Sequence, residues 1–284
     1  MKKILVPTDF SKEAQVAAEV ASNIARKSGT ELILLHVIEE GSKESVKITG
    51  EIAYQDLEDK LFTMKLIERS RKLMSKFAAD KMFDGIKITP ELRLGSPFHG
   101  MRSIITEQKV DLVVMGTAGK TDLTDMIIGS NTEKVVRHAN CPVLTVQKKP
   151  ASQNFKNIVY ATSMSKDEEV FSRIVKRAQA LYDSTIHLVR INTPGNFQRD
   201  AVVKKYMNDF AKKLQLKNYT VNVFNDITEE EGIIYFADSI NADMIALATH
   251  GRTGFAHVLA GSIAEDVVNH SKRPVLTFVV KHHK

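Results

Sequence analysis

Short apolar runs alternate with longer amphipathic stretches along the chain. In the first half, runs of strand length that are rich in Val, Ile and Leu occur at residues 2–7, 31–38, 87–92, 111–116 and 142–147. Because these runs show little polar alternation, they predict strands buried on both faces, as in a parallel sheet. Between them, apolar residues recur at helical spacing, which predicts helices at 11–27, 57–81, 97–108 and 131–138. The polar stretch 39–56 is predicted to be the least ordered part.

The alternation of five strands with four helices predicts an α/β fold, a doubly wound parallel sheet with helices on both faces. Ligands of such sheets bind beyond the carboxyl ends of the strands, where the winding reverses. Asp9 follows the first predicted strand and Gly116 ends the fourth, so both are expected at one crevice. Taken alone, Asp9 fits an ordinary turn or helix cap equally well.

The second half of the chain repeats the first. Residues 156–163 parallel 2–9, residues 242–252 parallel 110–120, and residues 273–277 parallel 141–145. Position 163 matches 9 whereas 261 matches 129, so the second copy is shorter by about 22 residues, a loss expected between its second and third strands. The repeat predicts two tandem domains, each a five-stranded parallel sheet, at 1–148 and 155–284.

Composition narrows the class of protein. With 43% hydrophobic and 26% charged residues, the 284-residue chain is expected to be folded and globular. Forty Lys and Arg against thirty-four Asp and Glu give a net charge of +6, and because these cations are not clustered no nucleic-acid partner is implied. No apolar run has membrane-spanning length and no signal peptide is apparent, so a cytoplasmic protein without a membrane contact is expected. The single cysteine, Cys141, is predicted to be a buried small hydrophobe.

A glycine-bearing loop follows the fourth strand and carries Gly116, Gly119, Gly129 and Ser130. Glycines let backbone amides approach a phosphate, and Ser130 is expected to cap the next helix, whose amino terminus favours an anion. The loop is not a P-loop, because Val114 stands where that motif needs its first glycine. The Rossmann glycine fingerprint is also absent after the first strand. An alternative interpretation, in which these glycines only end structural elements, is left open by the loop alone.

The spacing Gly116-x2-Gly119-x9-Gly129-Ser130 resembles the ATP-binding signature of the universal stress protein family, and the repeat resembles its tandem members. The resemblance implies that ATP, or AMP or ADP, binds the first domain together with Mg²⁺. At the nucleoside end it implies the residues Pro7, Thr8, Asp9, Val37 and Met115. At the phosphate end it implies Gly116, Gly119, Gly129, Ser130, Asn131 and Thr132. Lys120 lies beside the second glycine, a position that fits a contact with the phosphates or, at least equally well, a solvated loop lysine. It also implies an intrachain pseudo-dimer through the last strands of the two domains, with a further homodimer left open.

The second copy retains only part of this signature. Its candidate anion site consists of Gly251, Arg252, Gly261 and Ser262. Ser163 stands in place of Asp9, and Ala248 stands in place of Gly116. We therefore expect a weaker ATP site in the second domain.

Three functional classes follow from these residues. The first is a stress-response regulator that binds adenine nucleotide without dedicated catalysis. The second is a slow ATPase or a nucleotidyl-transfer enzyme, for which Asp122 and Asp125 in the loop offer carboxylates but no evident general base. The third is a protein-interaction module with a vestigial ligand site. The histidines lack the spacing of metal ligands, so no metal site formed by protein side chains is expected.

Overall fold

A computed structural model describes residues 1–39, 52–117, 129–250 and 263–280, and within these ranges the side chains of all but 52–59, 166 and 250. The strands of the first half are β1 Lys3–Pro7, β2 Glu31–Ile38, β3 Ile88–Leu94, β4 Leu112–Gly116 and β5 Val143–Val146. Its helices are α1 Lys12–Ser28, α2 Ile52–Ala78, α3 Pro97–Glu107 and α4 Ser130–His138, with a 3-10 turn at Lys81–Phe83.

The second half repeats this order of elements. Its strands are β6 Asn157–Ala161, β7 Thr185–Asn192, β8 Tyr219–Asn225, β9 Met244–His250 and β10 Val275–Val280. Its helices are α5 Glu169–Tyr182, α6 Asp200–Leu214, α7 Glu229–Ser239 and α8 Ile263–His270, and a 3-10 turn at Lys166–Glu168 precedes α5. The helix α6 has 15 residues where α2 has 27, so the second copy is shorter between its second and third strands, as predicted.

All ten described strands form one sheet in the order β3-β2-β1-β4-β5-β10-β9-β6-β7-β8. Every pair within a half is parallel, and the two halves meet where β5 and β10 pair antiparallel, with Leu144 opposite Leu276. The predicted fold of two doubly wound parallel sheets is confirmed. The predicted pairing of the last strands within one chain is confirmed as well.

The helices cover both faces of the sheet. On one face, α1 and α2 share a continuous apolar core with α5 and α6, which includes Ile4 and Tyr160. On the other face, α3 and α4 cover one apolar cluster, and α7 and α8 cover another. The two clusters on this face are joined where Arg137 on α4 donates to both carboxylate oxygens of Glu265 on α8, at 2.9 and 2.5 Å.

Two predicted boundaries are wrong for identifiable reasons. The helix α2 begins at Ile52, inside the stretch predicted to be irregular, and ends at Ala78 rather than 81. It ends there because Asp80 is extended and its carboxylate accepts the Met82 amide at 2.9 Å, which starts a separate 3-10 turn. The strand β3 continues to Leu94, two residues beyond the prediction, because it stays in register with β2 as far as Ile38.

Candidate functional site

The first-domain crevice lies at the carboxyl ends of three adjacent strands. Because β1 lies between β2 and β4, the residues that follow β1 lie between the ends of the other two strands. Pro7 ends β1, Val37 is the penultimate residue of β2, and Gly116 ends β4. The structure thus brings the predicted nucleoside-end residues to the edge of the sheet where ligands of this fold bind.

The turn after β1 is held by its own side chains. The Thr8 hydroxyl accepts the Phe10 amide at 3.0 Å, and Asp9 Oδ1 accepts the Ser11 amide at 2.9 Å. Phe10 has a φ of 64°, the left-handed region that non-glycine residues seldom occupy. Asp9 is half-buried, and its Oδ2 has no hydrogen-bond partner among the described residues. One carboxylate oxygen therefore fixes the turn while the other is available to a ligand.

His36 supports this turn from β2, which the sequence interpretation missed. Its Nδ1 lies 2.8 Å from the carbonyl oxygen of Thr8, and because a carbonyl only accepts, Nδ1 carries the proton. The Phe10 ring lies against His36 with 4.5 Å between ring centroids. These contacts stabilise Phe10 in its left-handed conformation. The equivalent position in the second half, Met164, has a φ of 60°, so both copies keep the same turn.

Val37 and Met115 contribute mainly packing through their side chains. Met115 is 5% exposed and lies in the cluster beneath α3 and α4. Val37 packs on the same cluster so closely that a Cβ added to Gly100 of α3 would lie 2.8 Å from its Cγ2. The predicted lining role of Met115 and the backbone contact of Val37 remain predictions.

The two ends of the glycine loop are joined by hydrogen bonds. The Gly129 amide donates to the carbonyl oxygen of Thr117 at 2.8 Å, and Thr132 Oγ1 donates to the carbonyl oxygen of Gly116 at 3.1 Å. Gly116 itself abuts the first turn of α1, since a Cβ there would lie 3.0 Å from the carbonyl carbon of Glu13. These contacts hold β4, α1 and α4 together at the crevice. The loop residues Gly119, Lys120, Asp122 and Asp125 lie outside the described residues.

The predicted capping role of Ser130 is wrong. Gly129 is the residue that precedes the first turn of α4, and within the described ranges no side chain caps this helix. The carbonyl oxygen of Gly129 accepts the amides of Thr132 and Glu133, at 2.8 and 3.2 Å. The backbone amides of Ser130 and Asn131 have no acceptor within the described ranges. Amides at the positive end of a helix dipole, without an acceptor among the described residues, form a site suited to an anion.

The second-domain crevice contains a buried carboxylate that the sequence interpretation missed. Glu168 is 1% exposed. Its Oε1 accepts the amide and hydroxyl of Ser163 at 3.0 and 2.5 Å, and its Oε2 accepts the hydroxyls of Thr162 and Tyr160 at 2.6 and 3.0 Å. Four donors thus satisfy one buried carboxylate, which is the condition for burying such a charge at tolerable cost. Burial and the nearby Glu168 carboxylate together hold the pKa of Tyr160 well above its usual range.

In the first half, two of the four residues equivalent to this network are apolar. Val6 stands in place of Tyr160, and Ala14 stands in place of Glu168 at the same offset along the chain. Both first-half residues are buried. Alignment of the two halves would have identified Glu168 as a candidate site residue, because an acidic residue stands where the first copy has a buried alanine.

Ala248 also changes the second crevice. It stands where Gly116 contacts α1 in the first copy, and the helix of the second copy starts three residues later, at Glu169 behind the 3-10 turn. The later start of the helix leaves space for the Ala248 methyl group. In the first domain there is no such space, because a Cβ on Gly116 would touch the backbone of Glu13. The predicted anion-site residues Gly251, Arg252, Gly261 and Ser262 lie outside the described part of the chain.

The described ranges contain neither a cluster of metal-ligating side chains nor a membrane-spanning helix. Within 1–39, 52–117, 129–250 and 263–280, no cluster of three or more His, Cys, Asp or Glu could hold a metal ion. Of the helices in those ranges, none combines the length and the apolarity needed to cross a membrane.

The fold and the crevice define a class of protein, a tandem pair of doubly wound α/β domains joined through their last strands. The chain belongs to the universal stress protein family, whose model matches residues 1–147 and again 154–279. A universal stress protein of Methanocaldococcus jannaschii is 32% identical over 156 residues, which is 52% of this chain and 96% of that protein. One of Synechocystis is 23% identical over 297 residues, covering 98% of this chain and all of its own length.

A solved structure supports the two-domain fold over the whole chain. The universal stress protein of Archaeoglobus fulgidus matches with a TM-score of 0.71 at 21% identity, covering 99% of this chain and 98% of that one. Membership of the family, which the glycine spacing and the repeat predicted, is therefore confirmed.

Proposed function

We propose that the first domain binds ATP with Mg²⁺ and that the protein acts as a nucleotide-binding regulator of the stress response, without dedicated catalysis. The observation that carries the proposal is the pair of amides at the amino terminus of α4, those of Ser130 and Asn131, which have no acceptor among the described residues. Ser130 does not cap its helix, and we propose that its hydroxyl binds a phosphate oxygen. We further propose that the protein is cytoplasmic, where ATP is abundant.

The nucleoside end of the ligand is assigned to the turn after β1. Asp9 Oδ2, which has no partner among the described residues, would accept a hydrogen bond from a ribose hydroxyl, and hydrogen bonds to a charged acceptor contribute about 1.5–3 kcal/mol. The adenine would then lie toward Val37 at the end of β2. Pro7 and Thr8 act through the position of Asp9, because the Thr8 hydroxyl is engaged with the Phe10 amide.

The phosphates are assigned to the glycine loop and to α4. Gly119 would allow the backbone to approach them closely, and Lys120 would add a positive charge. Mg²⁺ would be held chiefly by phosphate oxygens and water, as is usual for this ion with nucleotides. Because the sequence of the loop offers no evident general base, binding without catalysis is favoured, and slow hydrolysis is the alternative.

The second domain is assigned a much weaker ATP site or a different ligand. Its Ser163 lacks a carboxylate for the ribose, and Glu168 already occupies the donors of the turn after β6. The negative charge of Glu168 also opposes an approaching phosphate. We therefore expect close to one tight ATP site per chain.

Calorimetric titration of a matched pair of variants tests this assignment. Gly119→Val places a branched side chain where the phosphates are expected, and it should abolish tight binding in a protein with an unchanged circular dichroism spectrum. Gly251→Val makes the same change at the equivalent position of the second domain and should leave the tight site intact. Unchanged ATP affinity in folded Gly119→Val would refute the phosphate assignment.

The phosphate count of bound nucleotide, followed over hours, separates a binding regulator from a slow ATPase. Retention of intact ATP supports the regulator. Steady conversion to ADP that is lost in Gly119→Val would instead establish an enzyme. Failure to bind any adenine nucleotide would support the third class, a protein-interaction module whose ligand site is vestigial.

A further inference from the structure

A cavity of about 700 Å³ lies between α1 and α5, at the joint between the two domains. Its volume is in the range of sites that accept drug-sized molecules. Its floor includes Leu144 and Leu276, which are paired directly across the antiparallel β5 and β10 strands. Its walls include Ile24 on α1 and Ala178 on α5. The cavity is therefore made jointly by the two domains.

Equivalent positions of the two halves line this cavity in pairs. Ile24 corresponds to Ala178, Leu112 to Met244, and Leu144 to Leu276. The cavity thus straddles the approximate twofold relation between the domains. On the opposite face of the sheet, α4 and α8 close the same joint through the Arg137–Glu265 pair. The joint is closed on one face of the sheet and leaves this cavity on the other.

The cavity is remote from the nucleotide crevice. Leu112 begins β4 and therefore lies at the amino end of that strand, whereas the crevice lies at its carboxyl end beside Gly116. Occupants of the two sites would be separated by the length of the strand.

The lining carries two charged side chains, Arg177 and Asp111. Arg177 on α5 is exposed at the cavity and has no hydrogen bond or ion pair within the described residues. Asp111 lines the cavity as well, but its Oδ2 already accepts the backbone amides of Lys2 and Lys3, at 2.6 and 3.1 Å. Arg177 thus offers its whole guanidinium to an occupant, whereas one oxygen of Asp111 is taken by backbone amides.

We propose that this cavity binds a small organic anion with an apolar body. The aromatic or short aliphatic body lies over Leu144 and Leu276, where it loses contact with water, and the acidic group pairs with Arg177 at the mouth. Val170, also on the lining, is 51% exposed, so the cavity is open to solvent at this end of α5. This site does not depend on nucleotide binding by the first domain.

Two fluorescent probes that differ in a single charge test the proposal on the full chain. Anilinonaphthalene sulfonate carries the anion, and N-phenylnaphthylamine is its neutral counterpart. Saturating ATP with Mg²⁺ should leave the fluorescence of both probes unchanged. Displacement by ATP would place the probes in the nucleotide crevice and overturn the proposal.

Variants on α5 then test the lining. Ala178→Phe fills the cavity and should reduce the affinity for both probes at least tenfold, whereas Ala180→Phe, an exposed position on the same helix, should change neither. Arg177→Gln should weaken the sulfonate about threefold while sparing the neutral probe, as expected for a partly exposed ion pair. Arg173→Gln, whose guanidinium pairs with Glu169 away from the lining, serves as its control.

Equal binding of the probes to wild type and to folded Ala178→Phe would overturn the cavity as their site. An equal loss of both probes in Arg177→Gln, or no loss of either, would overturn the assignment of an anion. A thermal melt of each variant distinguishes these results from failure to fold.

Discussion

Ser163 donates both its backbone amide and its hydroxyl to the same carboxylate oxygen of Glu168, at 3.0 and 2.5 Å. In the first domain, the turn after β1 carries its own carboxylate, Asp9. In the second domain, the turn after β6 is held instead by Glu168, which lies in the 3-10 turn that follows. The hydrogen-bonding groups of this turn are used within the protein, whereas Asp9 Oδ2 has no partner in the part of the chain that the structure describes. The two domains therefore share a fold but differ in what their crevices can offer a ligand.

Removal of this carboxylate should cost considerable stability. Glu168→Ala leaves four donors without their acceptor, and each buried unsatisfied group costs about 1–3 kcal/mol before the structure relaxes. We expect a loss of about 3 kcal/mol in the free energy of unfolding, measured by urea denaturation. Glu169→Ala, the neighbouring residue with an exposed pair to Arg173, should cost less than about 1 kcal/mol. Equal effects of the two substitutions would show that the network contributes little.

A second prediction concerns the two glycines that bracket the phosphate loop. Gly116→Ser places a Cβ about 3.0 Å from the backbone of Glu13, so the start of α1 must move, which overpacking of this kind makes unfavourable by about 1–3 kcal/mol. Gly129→Ser introduces the same side chain where the nearest atom, the Thr117 carbonyl oxygen, is 3.6 Å away. Serine is also favoured at the position before a helix, so this control should stay within about 0.5 kcal/mol of wild type.

Thermal and urea unfolding of both variants measure whether α1 constrains the end of β4. If Gly116→Ser is as stable as Gly129→Ser, then α1 does not constrain the end of β4. In that case the late start of α5 in the second domain must have a cause other than the methyl group of Ala248.

The elements that could be predicted from the sequence are those specified by local pattern. Strand β1 and helix α1 have distinct apolar periodicities, and the repeat of the pattern fixed the tandem organisation. The pairing of β5 with β10 was predictable because two apolar strands at the ends of their sheets each needed a partner. All of these features are therefore specified by the pattern of apolar and polar residues along the chain.

The features that could not be predicted depend on distances between segments. The local sequence does not tell whether Ser130 caps the helix or is its first residue. The start of the helix depends on the hydrogen bond between the Gly129 amide and the Thr117 carbonyl oxygen. Likewise, Tyr160 and Glu168 are eight positions apart, and only the packing of α5 on β6 brings their oxygens within 3.0 Å. The left-handed Phe10 is similar, since it is imposed by the bonds of Thr8 and Asp9 around it.

A third prediction tests the joint between the domains. Proteolytic cleavage of an engineered site near Ser152 should leave the halves associated, because β5 and β10 pair directly and Arg137 on α4 bridges to Glu265 on α8. Sedimentation of the cleaved protein should give the mass of the intact chain. Separation into two independent monomers would mean that the linker, rather than the strand pair, holds the domains together.

The last prediction follows from the burial of Cys141. Burial, aided by the negative charge of Asp111, raises the pKa of this thiol to about 12, from an ordinary value of 9.0. Below pH 9 the thiol is protonated in both the folded and the unfolded chain, so it makes no pH-dependent contribution. Between pH 9 and 12 the unfolded chain loses the proton while the folded chain keeps it, and stability must fall by up to about 1.4 kcal/mol per pH unit. Cys141→Ala removes this proton, although Tyr160 and Tyr182, whose pKa values burial also raises, stay in both proteins. Urea unfolding at pH 8, 9, 10 and 11 should therefore give a shallower decline for the variant, whatever its stability at pH 8. Parallel curves for the two proteins would show that the thiol ionises as readily in the folded state as in the unfolded one.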